Sequence, residues 1–295
     1  MRKYEQHRFR SADNRLELFA RDYLPVGEPG CDGGAEGLPL LLMHGLTRNS
    51  ADFEPLVAHL PEFRLIVPDQ RGRGLSDYDD DAANYRVDVY AADMFALMDG
   101  LGIERFGVIG NSMGGLIGMA MAAMAPGRVA MLALNDIGPI VDDAGLDRIR
   151  GYVGPSRPAA DWTEMAERFA AVNACAFPDF TDADWLAFAR RTCHKVGDGV
   201  VTAYDPAIAM GMEPDADAVV PVDPWPLWDA LRSIPVFVIR GAISDLLSAA
   251  TVAEMKRRHN GPFAAVEVAL RGHHPLLDEP EVLAALPTFL QVHAV

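Results

Sequence analysis

From residue 39 onward, short runs dominated by apolar residues alternate with polar or glycine turns and with stretches whose apolar residues recur every three or four positions. The runs fall at residues 40–43, 64–67, 106–109, 129–134, 236–239 and 264–270. Rich in Val, Ile and Leu, they predict strands buried on both faces, as in a parallel sheet with helices packed on either side. Helical periods at 85–100, 113–125, 249–259 and 281–292 supply the covering layers. That alternation predicts a doubly wound α/β sheet. Two earlier segments, 7–11 and 16–24, alternate as antiparallel strands do, with Asp13-Asn14 as the turn signal between them. The Gly, Pro and acidic content of 26–37 predicts a surface loop.

One interval breaks the rhythm. Between the fourth parallel run, ending near Asn135, and the fifth, beginning near Pro235, about a hundred residues pass. A strand-to-strand crossover needs only about 30. The excess predicts one α/β core, residues 1–137 and 232–295, carrying a helical cap at 138–231. Within it, Trp162, Phe169, Phe177, Phe180, Trp185, Phe188 and Trp228 stand mostly at helical spacing. Most are expected to form the insertion's own core. Trp162, Trp185 and Phe169 are the candidates for lining a substrate pocket.

Composition narrows the partners. Hydrophobic residues make up 50% of the 295, enough to bury a sizeable core. Asp and Glu number 42 against 26 Lys and Arg, a formal net charge of −16 at pH 7. Such an excess argues against nucleic-acid backbones and anionic membrane surfaces, which need clustered cations. Cys31, Cys175 and Cys193 lie far apart, with no CxxC pair and no His at metal-ligand spacing. They read as reduced structural thiols, and no metal is expected. No apolar stretch approaches the roughly 18 residues of a membrane span, and no apolar region follows the basic N-terminal residues. The expectation is a soluble, cytoplasmic chain without membrane insertion.

The strongest local signal is Gly110-Asn111-Ser112-Met113-Gly114-Gly115, directly after one apolar run and at the start of a helical period. A serine at such a strand-to-helix turn has its Oγ forced outward, with the next backbone N–H pointing at the same place. A serine hydroxyl becomes a useful nucleophile only when a base takes its proton. Of eight histidines, His273 and His274 alone sit in a loop just after a predicted strand near the C-terminus. His273 is favoured, because Gly272 frees the loop before it and Pro275 constrains His274. The base needs a carboxylate to hold its tautomer. Asp245, after the run at 236–239, gives the chain order Ser112, Asp245, His273; Asp136, after the run at 129–134, is the rival, since the order allows both. Oxyanion donors are expected at the amides of Met113 and of Leu46 in Met43-His44-Gly45-Leu46-Thr47, with His44 organising that turn.

Together HGLT, PDQRGRGLSD (68–77), GNSMGG (110–115), LNDIGP (134–139), RGAISDLLS (240–248) and GHHPLLDEP (272–280) resemble the α/β-hydrolase superfamily, in its cap-bearing serine esterase and lactonase branch. The similarity runs over nearly the whole chain. It implies an eight-stranded, mostly parallel sheet with an inserted helical cap, an active site at the cap interface and no cofactor. Carried over, it implies Ser112 as nucleophile, Asp245 as acid, His273 as base, and Leu46 and Met113 as oxyanion donors. Related dehalogenases and epoxide hydrolases place Asp at the nucleophile position, which Ser112 excludes here. His274 departs from the pattern, where relatives usually carry a small residue.

The function this implies is hydrolysis of a small or medium carboxylic ester or lactone, with an apolar substrate favoured by Met43, Leu46, Met113 and the aromatics. The runner-up is hydrolysis of a carbon–carbon bond in a ring-cleavage dienoate, whose family usually carries Gly-Pro-Gly where Leu46-Thr47-Arg48-Asn49 stands. Arg48, Arg190 or Arg191 could then hold a substrate carboxylate, the alternative for each being an ordinary surface charge. A third class is a ligand-binding receptor of the same fold without turnover. Oligomeric state is left open.

Overall fold

A computed structural model of the chain describes residues 2–26, 37–212, 223–231 and 233–294. Most of the expected loop at 26–37, Cys31 included, and part of the expected cap lie outside these residues. The first half runs β1 (Glu5–Arg10), β2 (Glu17–Tyr23), β3 (Leu40–Met43), α1 (Glu54–Val57), β4 (Leu65–Asp69), α2 (Val87–Gly100), β5 (Phe106–Asn111), α3 (Met113–Met124) and β6 (Val129–Asn135). An inserted segment follows, with α4 (Asp143–Arg150), α5 (Trp162–Asn173), α6 (Asp182–Thr192), the antiparallel hairpin β7 (Cys193–Val196) and β8 (Gly199–Thr202), and α7 (Trp225–Asp229). The chain then returns through β9 (Val236–Gly241), α8 (Ala249–Arg258), β10 (Phe263–Val268) and α9 (Pro280–His293).

Eight strands form one sheet in the order β1-β2-β4-β3-β5-β6-β9-β10. The pairs β1/β2 and β2/β4 are antiparallel, and the rest are parallel. Its central strands explain their continuous apolar runs. Leu41 and Met43 of β3 pack into one layer with α2 and α3, while Leu40 and Leu42 pack into the other with α1 and α9. The same division holds for Val238 against Phe237 and Ile239 in β9. Each such side chain, removed from water, contributes roughly 1.5–3 kcal/mol before the entropy of ordering is counted. A polar residue on either face would lose that and leave an unpaired group, so the run must be apolar at every position.

The inserted segment has a core of its own, in which Met165, Phe177, Trp185, Phe188, Cys193 and Val200 are buried together. A reciprocal capping box between Thr181 and Asp184 starts α6. Trp228 behaves differently from the other aromatics. It is fully buried in the sheet's own layer beside Val236 and Met255, and its Nε1 donates to Met255 O at 3.1 Å. Cys175 and Cys193 carry free thiols, and burial pushes that of Cys193 up to about 12. Among the described residues, no helix is long and apolar enough to cross a membrane.

Candidate active site

The parallel pairing of β5 with β6 brings Asn111 opposite Asn135, so the residues that follow, Ser112 and Asp136, leave neighbouring strand ends side by side. Ser112 N–H donates to Asn135 O at 3.0 Å, and Ser112 itself is held at φ 49°, ψ −116°. A non-glycine residue there stores backbone strain, which the tight strand-to-helix junction maintains. Gly114 makes that junction possible, because a Cβ on it would stand 2.0 Å from Met43 O. Gly114→Ala is therefore expected to lower stability by about 2–3 kcal/mol, read as a shift in the urea midpoint. An unshifted midpoint would contradict the close approach of α3 to β3.

His273 lies between the two strand ends. Its Nε2 is 2.8 Å from Ser112 Oγ and its Nδ1 is 2.8 Å from Asp136 Oδ2. Asp136 also accepts from Gly241 N at 2.9 Å and from Ser244 Oγ at 2.6 Å, and it is wholly buried. All its contacts donate to it, so Nδ1 of His273 carries the proton and Nε2 is left to accept from the Ser112 hydroxyl. The loop that presents His273 is fixed to the inserted segment. Gly272 N donates to Ala176 O at 2.7 Å, and a Cβ on Gly272 would stand 2.7 Å from Ala176 Cα. Glu279 closes the same loop by accepting from Leu276 N, Leu277 N and Arg271 Nε. Gly272 thus serves close packing rather than loop freedom.

Asp245 is not brought to His273. Its carboxylate takes a bidentate pair from Arg148 of α4, at 2.6 and 2.9 Å, and those bonds hold its carboxyl below the ordinary range. The expected Ser112–Asp245–His273 grouping is corrected to one in which Asp136 stands behind the imidazole. The reason is geometric, since Asp136 ends the strand adjacent to that of Ser112, while Asp245 turns toward the inserted segment and anchors its first helix. Gly145 N of α4 also donates to Asp245 O at 3.0 Å.

The oxyanion candidates lie beside the serine. Leu46 lines the cleft with Ser112, and Met113 is the first residue of α3, where backbone N–H groups have no intrahelical acceptor. Sequence reasoning missed the residue that joins them. Arg73, wholly buried, donates from Nε to Leu46 O at 2.9 Å and from Nη2 to Met113 Sδ at 3.7 Å. His44 sets the same turn from below, its Nδ1 donating to Gly45 O at 2.8 Å and its Nε2 accepting from Gln70 N at 3.0 Å.

The cleft encloses about 550 Å³, its open mouth included. Besides Ser112, His273 and His274, its walls include Arg48, Ile149, Tyr152, Phe169, Asn173, Phe177 and Phe188. Of the three aromatics expected to line it, Phe169 does. Trp185 is turned into the insertion's core, and Trp162 stacks with Arg190 at 5.3 Å, away from the cleft walls. Helical spacing marked all three as inward-facing without saying which interior each would meet. Among the described residues, no three His, Cys, Asp or Glu side chains converge to hold a metal ion.

His274, the rival base, points elsewhere. Its Nδ1 donates to Pro275 O at 3.0 Å and its Nε2 is 3.8 Å from Asp52 Oδ2. Burial holds both His44 and His274 down at about 4. In the unfolded chain such imidazoles titrate near pH ~6.5. Between pH ~6.5 and about 4 the unfolded state therefore binds protons that the folded state refuses, so stability is full above that window and falls as pH drops through it. The urea midpoint is expected to decline from pH 7 to pH 5, with a shallower decline in His274→Asn. A flat midpoint over that range would contradict the burial of these rings.

A family model described as the alpha/beta hydrolase fold matches residues 39–279, and the chain belongs to that family. It is 34% identical over 257 residues to the 3-hydroxybutyrate-oligomer hydrolase of Cupriavidus necator, covering 85% of this chain and 87% of that protein. It is 29% identical over 261 residues to the 2-(acetamidomethylene)succinate hydrolase of Mesorhizobium japonicum, covering 85% of this chain and 87% of that one. Among solved structures, an alpha/beta hydrolase from Novosphingobium aromaticivorans superposes with a TM-score of 0.89 at 40% identity, over 99% of both chains.

Proposed function

We propose that the chain is a serine hydrolase that cleaves a small or medium carboxylic ester or lactone through an acyl-enzyme on Ser112, with His273 as base and Asp136 as the supporting acid. The observation that carries this reading is the unbroken relay of two 2.8 Å contacts from Ser112 Oγ through His273 to Asp136. Ser112 Oγ attacks the carbonyl carbon as its proton passes to His273 Nε2, and the imidazolium is stabilised by Asp136. The carbonyl oxygen, now negative, rests on the Met113 and Leu46 amides, two residues that Arg73 ties together through Leu46 O and Met113 Sδ. His273 returns the proton to the leaving alcohol, and a water activated by the same imidazole releases the acid.

The cap boundary at 138–231 belongs to this proposal, amended by the packing of α7 with the sheet layer. An ester is favoured over a dienoate because Leu46 and Thr47 crowd the turn where the carbon–carbon hydrolases usually carry Gly-Pro-Gly, and because the 3-hydroxybutyrate-oligomer hydrolase is among the similar proteins. The test is a panel of p-nitrophenyl esters, simple lactones and a ring-cleavage dienoate, with Ser112→Ala as control. Turnover of esters or lactones that vanishes in the variant is the expected result. Turnover of the dienoate alone would replace the reading, and turnover of nothing would favour a receptor.

A further inference from the structure

We propose that the cleft contains a carboxylate subsite made by Arg48 and backed by Arg191, so that the substrate is an ester bearing a free acid group, of the kind found at the end of a short hydroxyacid oligoester. This deepens the ester-hydrolase reading and rests on it. Arg48 follows the turn that carries Leu46 and Thr47 and lines the cleft with them. The point where a Cβ on Gly45 would stand is 3.5 Å from Arg48 Cγ and 3.6 Å from Ser112 Cβ, which sets the two side chains close across the floor. The guanidinium lies 3.9 Å over the ring of Phe188, another wall residue, and stacking of this kind fixes the orientation of its donor fork.

Close ion pairing in this cluster is incomplete. Nε and Nη2 of Arg48 are both engaged by Asp52 Oδ1, while Nη1 makes no hydrogen bond among the described residues. Among the described residues, Asp52 is the one carboxylate in ion-pair contact with Arg48, and it also accepts from Asn111 Nδ2 at 3.2 Å. Arg191 adds a second cation. Asn49 Nδ2 holds its carbonyl at 2.9 Å, its Nε is buried without a hydrogen-bond partner, and among the described residues no carboxylate lies within ion-pair distance of its guanidinium. Burial first, and then the charge of Arg48, push Arg191 below its ordinary range. His274, whose Nε2 is 3.8 Å from Asp52 Oδ2, is neutral at pH 7 and adds no charge.

Two guanidinium groups with one carboxylate at ion-pair distance, and with Asp278 and Glu54 acting on Arg191 only from farther off, favour a further anion. A substrate carboxylate supplies it, taking a charge-assisted bond from Arg48 Nη1 and offsetting the repulsion felt by Arg191. Arg190 takes no part, being stacked on Trp162. The global charge of −16 argues for uncharged substrates in general, yet Arg48 lines the cleft together with Ser112.

The test separates binding from turnover. The linear dimer of 3-hydroxybutyrate and its methyl ester, which lacks the free acid, are each titrated into the full-length Ser112→Ala protein. The free acid is expected to bind at least about tenfold more tightly, the usual effect of a hydrogen bond to a charged group. In the same background, Arg191→Gln and Arg48→Lys are each expected to remove most of that preference, with the urea midpoint verifying the fold. Arg191→Gln leaves the Arg48–Asp52 pair intact and stays informative if Arg48→Lys misfolds. Equal affinities for acid and methyl ester, or a preference that survives Arg191→Gln, would overturn the subsite. Wild-type turnover of the same pair tests the parent reading separately. Preferential binding of the acid with no cleavage of either compound leaves the subsite standing and removes the acyl-enzyme.

Discussion

Replacing Asp136 by Asn is expected to lower kcat by about 10³–10⁴-fold, while Asp245→Asn costs less than about tenfold. The difference follows from who holds the imidazole. Asp136 Oδ2 accepts from His273 Nδ1 at 2.8 Å, and the carboxylate is itself held by Gly241 N and Ser244 Oγ. An Asn in that place can turn its amide N–H toward Nδ1, which forces the ring proton to Nε2. A histidine in that tautomer cannot take the serine's proton, and the barrier rises by about 4–5.5 kcal/mol. Asp245 is bonded to Arg148, and its side chain is about a third exposed. Its loss loosens the anchorage of α4, whose Ile149 lines the cleft, so the effect falls on KM and on stability by up to about 1 kcal/mol. Steady-state kinetics on a p-nitrophenyl ester decides it. The reverse ranking would move the catalytic acid to Asp245.

Ser112→Ala is expected to lower turnover by on the order of 10⁶-fold, since removing the nucleophile of a relay costs about as much as removing the whole relay. His273→Ala should fall to a similar level, and the double variant should add little to either. Additive losses would show that the two side chains act independently, which the 2.8 Å contact between them argues against. Substrate affinity should survive in Ser112→Ala, because the walls of the cleft come from other residues.

Much of this architecture was legible in the residues. Strands buried on both faces need unbroken apolar runs, so the six parallel strands announced themselves, and the long interval between Asn135 and Pro235 marked the insertion. The serine turn was readable because it needs glycines where strand and helix nearly touch, as Gly114 does against Met43. The acid was not, for a physical reason. Chain order leaves both Asp136 and Asp245 eligible, and only the adjacency of β5 and β6 in the sheet puts Asp136 beside Ser112. Neighbours across a parallel sheet are far apart in sequence. The aromatics of the insertion posed the same problem, since helical spacing says that Trp185 and Phe188 face inward but not that only Phe188 reaches the cleft. Arg48 looked like any surface cation until its burial beside Asp52 was apparent.

In the proposed mechanism Ser112 forms a covalent intermediate because His273 removes its proton. Intact-protein mass spectrometry after incubation with a fluorophosphonate, followed by peptide mapping, tests it most directly. A single adduct on the peptide carrying Ser112, absent from Ser112→Ala and strongly slowed in Asp136→Asn, is the predicted result; an unlabelled wild type, or an adduct that persists in Ser112→Ala, would contradict it.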